Sequence, residues 1–117
     1  MSTQDHIMNR LYDVLQGRKK ADPKKSYAAK LYSKGTEKIA QKIGEEASEV
    51  IIEAVRLAEK KKSKKRREDL KEEMADLLFH VNMLMADRDI HPDEVFKILD
   101  KRFGLGGLDE KASRKKD

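Results

Sequence analysis

The sequence predicts an all-α protein, a helical bundle of four to five helices in a single domain over residues 1–117. Apolar residues recur at spacings of three and four, and no stretch alternates as a strand would. Charged residues make up 42% of the chain and apolar residues 38%. A core in so small and charged a chain must come from a few strongly patterned helices.

The first two predicted helices are short and end at glycines. Asp5–Gln16 carries apolar residues on one side, its aspartate can cap the N-terminus, and Gly17 can end it. A polar connector follows, because Pro23 disfavours helix at the residue before it. Ser26–Ser33 is a short helix whose first serine is the N-cap, and the break at Lys34-Gly35 ends it.

A long helix is predicted over Thr36–Lys60, with Thr36 as its N-cap. At about 100° per residue, one face collects apolar side chains and the adjacent arc collects acids. The apolar face consists of Ile39, Ile43, Ala47, Val50, Ile51, Ala54, Leu57 and Ala58. The acidic arc consists of Glu45, Glu46, Glu49 and Glu53. Like charges three and four residues apart destabilise a helix, so this arc favours a bound cation.

A second long helix, Glu68–Asp87, carries acids beside an apolar face of Leu70, Met74, Leu77, Val81, Leu84 and Met85. Glu73 and Asp76 are one turn apart at the edge of that face, with Asp69 and His80 on the same side. If the two long helices pack antiparallel, Glu46, Glu49, Glu73 and Asp76 converge along one edge. Oxygen ligands of this kind suit Mg²⁺ or Mn²⁺.

The segments around these helices are basic or glycine-rich. Lys60–Arg67 has seven basic residues in eight and is either a loop or a frayed extension of both helices. A last helix starts at His91 and ends at Gly104, with proline and acids in its first turn. Its apolar side consists of Val95, Phe96, Ile98, Leu99 and Phe103. The tail, about residues 105–117, is predicted to be mobile.

Composition excludes several classes of protein. The absence of cysteine excludes disulfides and thiolate metal sites. No apolar run approaches the length of a membrane span, and the N-terminus lacks the pattern of a signal peptide, so we expect a cytoplasmic protein with no membrane partner. The net charge of +5 predicts anionic partners such as nucleotides, phosphates or nucleic acid. No aromatic residues interrupt the basic run, which favours a solvated connector over a nucleic-acid site.

The carboxylate pattern fits hydrolysis of a phosphoanhydride, although solvated helix faces are the alternative. The reaction requires neutralised phosphate oxygens and a placed water, and divalent ions held by carboxylates supply both. Glu45 is the candidate for the general base, or else a surface acid.

Lysines at a spacing of four precede and enter the long helix: Lys30, Lys34, Lys38 and Lys42. Some of them could hold distal phosphate oxygens, and the alternative for each is an ordinary solvated lysine. Lys34 is the strongest candidate, because the backbone can approach a ligand closely at Gly35.

Apolar residues outside the main stripes, Ile52, Val55 and Phe79, predict a homodimer or a larger assembly that buries a second surface.

Two segments, SYAAKLYSKGTEKIAQKIGEEASEVIIEA and EEMADLLFHVNMLMADRDIHPDEVFKIL, resemble the phosphoribosyl-ATP pyrophosphohydrolase family. The EExxE…ExxD signature is shared with the wider all-α nucleoside triphosphate pyrophosphohydrolases, including MazG-like proteins. The combination of SYxAKL, SKG and KIGEEASEV indicates the narrower family. One departure is the linker LAEKKKSKKRREDLK, which is longer and more basic than expected.

The resemblance implies hydrolysis of phosphoribosyl-ATP to phosphoribosyl-AMP and pyrophosphate, the second step of histidine biosynthesis, by a cytoplasmic dimer with Mg²⁺. Carried over by motif, the metal ligands are Glu46, Glu49, Glu73 and Asp76. Glu45 and Glu49 are the catalytic carboxylates, and the substrate-binding residues are Lys30, Lys34, Gly35 and Lys38. The runner-up is a general nucleotide pyrophosphohydrolase with the same metal site. A basic nucleic-acid-binding module is the third hypothesis.

Overall fold

The computed structural model describes residues 6–104 and has five helices there. They are α1 (Ile7–Arg18), α2 (Tyr27–Lys34), α3 (Thr36–Glu59), α4 (Lys64–Asp87) and α5 (Pro92–Phe103). The all-α prediction is therefore confirmed. No helix in this part of the chain is both long and apolar enough to cross a membrane.

Helices α3 and α4 form an antiparallel hairpin that is hydrogen-bonded at both ends. At the open end, the Thr36 hydroxyl donates to an Asp87 carboxylate oxygen at 2.6 Å. At the turn, the Ser63 amide donates to the Lys60 carbonyl at 2.9 Å, and the Ser63 hydroxyl accepts from the Arg66 amide. The basic run is therefore divided between a short turn and the first turn of α4, which begins four residues earlier than the predicted Glu68.

The core lies at the open end of this hairpin, where α1 and α2 pack against it. Its buried members are Tyr12, Leu15, Ala28, Leu31, Ile39, Met83, Met85 and Ala86. All buried residues of α4 fall between positions 80 and 86. The part of the hairpin nearer the turn is therefore covered by little else, and large apolar side chains are exposed along it: Ile51, Ile52, Val55, Met74 and Leu78.

The predicted apolar face of α3 is covered at five of its eight positions, Ile39, Ile43, Ala47, Val50 and Leu57, and is exposed at the other three. Ile51 is 64% exposed, and Ala54 and Ala58 are exposed too. Glu46 is half-buried and Glu53 is buried, so the covered stripe includes two residues of the acidic arc. Helix α4 packs against the side of α3 that carries Glu46 and Glu53. On α4 the core residues lie next to the acidic edge formed by Glu73 and Asp76, so both meet α3. Acidic side chains therefore enter the groove between the helices.

Apolar faces of the other helices are also covered less than predicted. Met74 of α4 is 45% exposed, and the exposed residues of α1 and α5 include Ile7, Val14, Ile98, Leu99 and Phe103. Phe79, predicted to be exposed, is instead half-buried and packs against the core cluster. The single chain has too few layers to cover all of its helical stripes.

Several helix ends differ from the predictions. His6 is the N-cap of α1, its Nδ1 accepting from the Met8 amide at 3.1 Å, and the helix continues past Gly17 to Arg18. Ser26 caps α2 as predicted, accepting from the Ala29 amide. Thr36 does not cap α3, because its hydroxyl is bonded to Asp87. The predicted cap Asp5 and the predicted mobile tail, about residues 105–117, lie outside the described residues.

Gly35 makes the corner between α2 and α3, with φ +94° and ψ 174°. Only glycine occupies this region of backbone space readily. Its amide donates to the Leu31 and Tyr32 carbonyls and so closes α2. The corner sets the angle at which the two helices present their side chains.

Replacing Gly35 by alanine should destabilise the protein by about 1–3 kcal/mol, because the new side chain would have to adopt this backbone conformation. Gly44→Ala is the matched control. Gly44 lies inside α3, and an added Cβ at either glycine meets nothing within 4 Å. The control should raise stability by about 0.5–1 kcal/mol. Urea unfolding of both variants measures the difference, and equal stabilities would show that the corner is not strained.

Candidate functional site

Three carboxylates meet in the groove between α3 and α4. Glu46 comes from α3, and Glu73 and Asp76 come from one turn of α4. One carboxylate oxygen from each lies within 4.8 Å of the others. We call these three residues the carboxylate cluster. Its geometry follows from the packing of α4 on the acidic arc of α3, which turns Glu46 inward and leaves it half-buried.

Electrostatics in the cluster are unfavourable without a cation. The pKa of Glu73 is raised, first by partial desolvation and then by the negative charges of Glu46, Asp76 and Glu49; a hydrogen bond that protonated Glu73 donates to the Glu46 carboxylate adds to the effect. Carboxylates forced together disfavour each other's ionised form. A divalent cation would remove this conflict, and an oxygen-only donor set suits Mg²⁺ or Mn²⁺. The cluster therefore fits the predicted metal.

Two acids from the same motif flank the cluster. The Glu49 carboxylate is exposed and is not one of the three that converge, although its charge contributes to the raised pKa of Glu73. Glu45 is also exposed and pairs with Lys42, with 3.4 Å between Oε2 and Nζ. Of the four predicted metal ligands, Glu46, Glu73 and Asp76 converge, and Glu49 lies at the edge of the cluster.

Two further acids of the hairpin are paired with basic residues. Glu53 is buried, with one carboxylate oxygen 3.0 Å from the Arg56 guanidinium, while its other oxygen has no hydrogen-bond partner among the described residues. Asp69 pairs with Lys65 at 3.1 Å. Neither acid is a member of the cluster.

A small pocket lies beside the cluster, between α2 and the first half of α3. It has a volume of about 180 Å³ and is lined by Tyr27, Lys30, Leu31, Lys34, Lys38, Lys42 and Glu45. We call it the lysine pocket. The corner at Gly35 brings the lysines of the two helices together, although Gly35 is not itself in the lining. All four lysines with a spacing of four therefore reach one cavity, which places positive charge next to the carboxylates.

A hydrogen bond between Tyr27 and His80, which no sequence pattern indicates, connects the pocket to α4. The Tyr27 hydroxyl lies 2.8 Å from His80 Nε2, and His80 Nδ1 lies 2.7 Å from the Asp76 carbonyl oxygen. His80 is only 5% exposed, on the side of α4 where the sequence places it with Glu73 and Asp76. Tyr27 belongs to the SYxAKL motif, but nothing in its spacing indicated His80 as its partner.

Comparison with known proteins identifies relatives over nearly the whole chain. The family model described as phosphoribosyl-ATP pyrophosphohydrolase matches residues 8–103. A phosphoribosyl-ATP pyrophosphatase of Methylococcus capsulatus is 47% identical over 109 residues, which cover 93% of this chain and 96% of that protein. One of Trichlorobacter lovleyi is 43% identical over 115 residues, 98% of this chain and 99% of that protein. The histidine biosynthesis bifunctional protein HisIE of Wolinella succinogenes is 43% identical over 109 residues, 93% of this chain and 44% of that protein.

Neutralising Glu73 should stabilise the metal-free protein at neutral pH. A raised carboxyl pKa means that the folded state binds the proton more tightly than the unfolded chain does. The associated stability is present at acid pH and is lost as the pH rises from the ordinary carboxyl pKa through the raised one. Glu73→Gln should therefore raise Tm in the presence of EDTA at pH 7.5 and leave it nearly unchanged at pH 4.

Glu72→Gln is the control for that experiment, because Glu72 is an exposed neighbour on α4 outside the cluster. Thermal unfolding of both variants at the two pH values measures the effect. An equal shift in the two variants, or a Glu73→Gln shift of the same size at both pH values, would contradict the repulsion within the cluster.

Proposed function

The chain belongs to the phosphoribosyl-ATP pyrophosphohydrolase family, and we propose that it hydrolyses phosphoribosyl-ATP to phosphoribosyl-AMP and pyrophosphate, the second step of histidine biosynthesis. The observation that carries the assignment of the site is the position of the carboxylate cluster beside the lysine pocket. A phosphate chain needs cations along its length, and this arrangement offers a metal site at one end and ammonium groups at the other.

The carboxylate cluster is the proposed site for Mg²⁺, held by Glu46, Glu73 and Asp76 with Glu49 available at the border. When bound, the ion neutralises phosphate oxygens and lowers the pKa of a coordinated water. The raised pKa of Glu73 is consistent with this role, because desolvation and then the neighbouring negative charges of Glu46 and Asp76 cause it, and a bound cation would offset both. Mn²⁺ satisfies the same donor set.

The lysine pocket is the proposed site for the phosphates. Lys30, Lys34 and Lys38 donate from their ammonium groups to phosphate oxygens, as strongly hydrated point charges do in many phosphate sites. Gly35 acts through the corner it makes, because its amide is already bonded to carbonyls of α2. The small volume fits a phosphate group better than a whole nucleotide, so the remainder of the substrate extends over the surrounding surface.

Glu45 is the proposed general base. It lines the lysine pocket and follows Lys42 by one turn, so its carboxylate faces the region between the phosphates and the cluster. In that position it takes the proton of the attacking water. Glu49, one turn further along α3, stands on the cluster side and orients the water or completes the metal ligands.

The exposed apolar surface of the hairpin supports a homodimer. Ile51, Ile52, Val55, Met74 and Leu78 all expose more than two fifths of their surface, and they lie on α3 and α4 away from the core. Large apolar side chains exposed along two neighbouring helices are typical of an interface between subunits. We assign the hairpin as the contact between two copies of the chain.

Asp76→Asn should lower kcat for pyrophosphate release from phosphoribosyl-ATP by about 10²–10³-fold, since it removes a charge from the metal site. Asp69→Asn is the matched control, because it changes the same side chain on the same helix outside the cluster. It should retain activity within about twofold. EDTA should abolish release by the wild type, and Mg²⁺ should restore it.

Two other results of that assay would point elsewhere. Release from ordinary triphosphates but not from phosphoribosyl-ATP would assign a general nucleotide pyrophosphohydrolase. No release from any triphosphate, together with nucleic-acid binding that weakens steeply with salt and persists in Asp76→Asn, would assign the basic run as the functional surface.

A charge within the hairpin surface should separate the dimer. Ile51→Lys places an ammonium group on that surface, and Ile7→Lys on α1 is the control, since the two isoleucines are similarly exposed at 64% and 61%. Light scattering after size exclusion should give a monomer mass for Ile51→Lys and a dimer mass for the control. The same mass for both variants would exclude this part of the hairpin as the interface.

A further inference from the structure

A second cavity, between α1 and α2, adjoins the lysine pocket. It has a volume of about 300 Å³, and Tyr27 lines both cavities. We call it the α1–α2 pocket. Its apolar lining consists of Leu11, Val14, Leu15, Ala28 and Phe79. A mostly apolar lining with a few polar groups is typical of a site for a small organic molecule.

Two basic side chains, Arg18 and Lys25, also line this pocket and are exposed. Neither forms an ion pair with a carboxylate of residues 6–104, whereas Lys19, the next residue after Arg18, pairs with Asp89 at 3.1 Å. Arg18 lies in the last turn of α1 and Lys25 precedes the N-cap of α2, so the two cations reach the pocket from different segments. Cations beside an apolar wall fit an anionic group that is attached to a less polar body.

Tyr27 lines both pockets, and contacts with α4 hold it in place. Its hydroxyl lies 2.8 Å from His80 Nε2, and its ring packs against Phe79 with the centroids 6.3 Å apart. The side chain is nevertheless 49% exposed. An aromatic ring that is fixed and open in this way offers a face on which a planar base can pack.

A larger cavity, of about 560 Å³, joins the two pockets. It shares Lys30 with the lysine pocket and Lys25 with the α1–α2 pocket, and Tyr27 lines all three cavities. The three cavities thus form one continuous surface. A molecule whose phosphates occupy the lysine pocket has room to extend past Tyr27 to Arg18 and Lys25.

The chemistry of phosphoribosyl-ATP requires a site of this kind. Compared with ATP, the molecule carries one additional group on its base, a ribose that bears a phosphate monoester. An enzyme that selects it over ordinary triphosphates must recognise that second anionic end, away from the triphosphate. The α1–α2 pocket meets this requirement, because it adjoins the lysine pocket and has cations of its own.

Resting on the proposed function, we propose that the α1–α2 pocket binds the phosphoribosyl group of the substrate and so selects phosphoribosyl-ATP over ordinary nucleoside triphosphates. Arg18 and Lys25 donate hydrogen bonds to the phosphate monoester, and the arginine can engage two of its oxygens at once. Tyr27 packs against the adenine ring, and the apolar wall packs against the ribose carbons. These residues bind the part of the substrate that does not react, so they determine specificity and take no part in bond breaking.

The first test compares kcat/KM for phosphoribosyl-ATP and for ATP in Arg18→Gln and Lys25→Gln. Each variant should lower the value for phosphoribosyl-ATP by about 10–100-fold, since each removes a charge-assisted hydrogen bond to phosphate. The value for ATP, which lacks the phosphoribosyl group, should change by less than about twofold. Equal losses on the two substrates would overturn the proposal.

Arg10→Gln and Lys20→Gln are the matched controls, because both residues are exposed cations that line none of the three cavities. Both variants should keep the wild-type values for the two substrates. A loss in the controls as large as in Arg18→Gln and Lys25→Gln would assign the effect to net charge and overturn the pocket.

A binding measurement decides the same point without turnover. Phosphoribosyl-AMP and AMP differ only by the phosphoribosyl group, and both can be titrated into the full chain by calorimetry in EDTA. Phosphoribosyl-AMP should bind the wild type at least about 10-fold more tightly than AMP does. Arg18→Gln should remove most of that difference, and Arg10→Gln should keep it. Equal affinities of the two ligands for the wild type would contradict the proposal.

Filling the pocket tests its apolar part. Val14 is 50% exposed, so Val14→Trp can occupy the cavity without disturbing the core, and Ile7→Trp is the control at a 61% exposed position of α1 outside the cavity. Val14→Trp should weaken the binding of phosphoribosyl-AMP and leave that of AMP unchanged. Unchanged binding of both ligands would exclude this cavity as the site of the phosphoribosyl group.

The proposed function and this inference fail in different ways. A wild type that releases no pyrophosphate from phosphoribosyl-ATP would overturn the proposed function, while binding of phosphoribosyl-AMP that depends on Arg18 would still support the pocket. Release by the wild type, combined with the same affinity for phosphoribosyl-AMP in the wild type, Arg18→Gln and Lys25→Gln, would overturn the pocket alone.

Discussion

The contact between α3 and α4 brings like charges together, and the rest of the structure offsets that cost. The two helices meet along an arc that contains Glu46 and Glu53 on one side and Glu73 on the other. The fully buried apolar core lies at the open end of the hairpin, where α1 and α2 complete it around Ile39 and Met83. Burial of apolar side chains at that end stabilises the fold and offsets the repulsion among the carboxylates of the cluster. This is typical of a site whose ligand is a cation.

Basic side chains pair with acids outside the carboxylate cluster, and the lysines of the pocket lie beside Glu45. Arg56 pairs with Glu53 and Lys65 pairs with Asp69, whereas no ion pair within residues 6–104 involves Glu46, Glu73 or Asp76. The four lysines line the pocket together with Glu45 and Tyr27. Had one of them reached the cluster, the resulting ion pair would compete with a metal.

The two hydrogen bonds of His80 link the lysine pocket to the carboxylate cluster, through Tyr27 on one side and the backbone of Asp76 on the other. A hydrogen bond to the Asp76 carbonyl fixes the ring, and the ring in turn fixes Tyr27 over the pocket. Helix α2 is connected to α3 by the single residue Gly35. The hydrogen bond between Tyr27 and His80 therefore also helps to set where α2 lies relative to α4. The position of the lysines and the geometry of the carboxylates therefore depend on the same few contacts.

The number and order of the helices could be predicted from the sequence. Helical periodicity, Ser26, Pro92 and the glycines set the number and order of the elements, because caps and breaks act over a few residues. The spacing of Glu46, Glu73 and Asp76 indicated a cation site for the same reason. Spacing could not fix the rotation of α3, since its apolar and acidic arcs adjoin and either could face α4.

Which face of each helix is covered depends on how the helices pack against one another. Ile51 and Met74 are exposed and Glu53 is buried because the packing of one helix on another depends on contacts far apart in sequence. The same holds for Thr36, whose hydroxyl bonds to Asp87 rather than capping its own helix. The pair of Tyr27 and His80 is separated by 53 positions, so no local pattern could reveal it. Sequence determined the chemistry carried by each helix, and packing determined which of those groups meet.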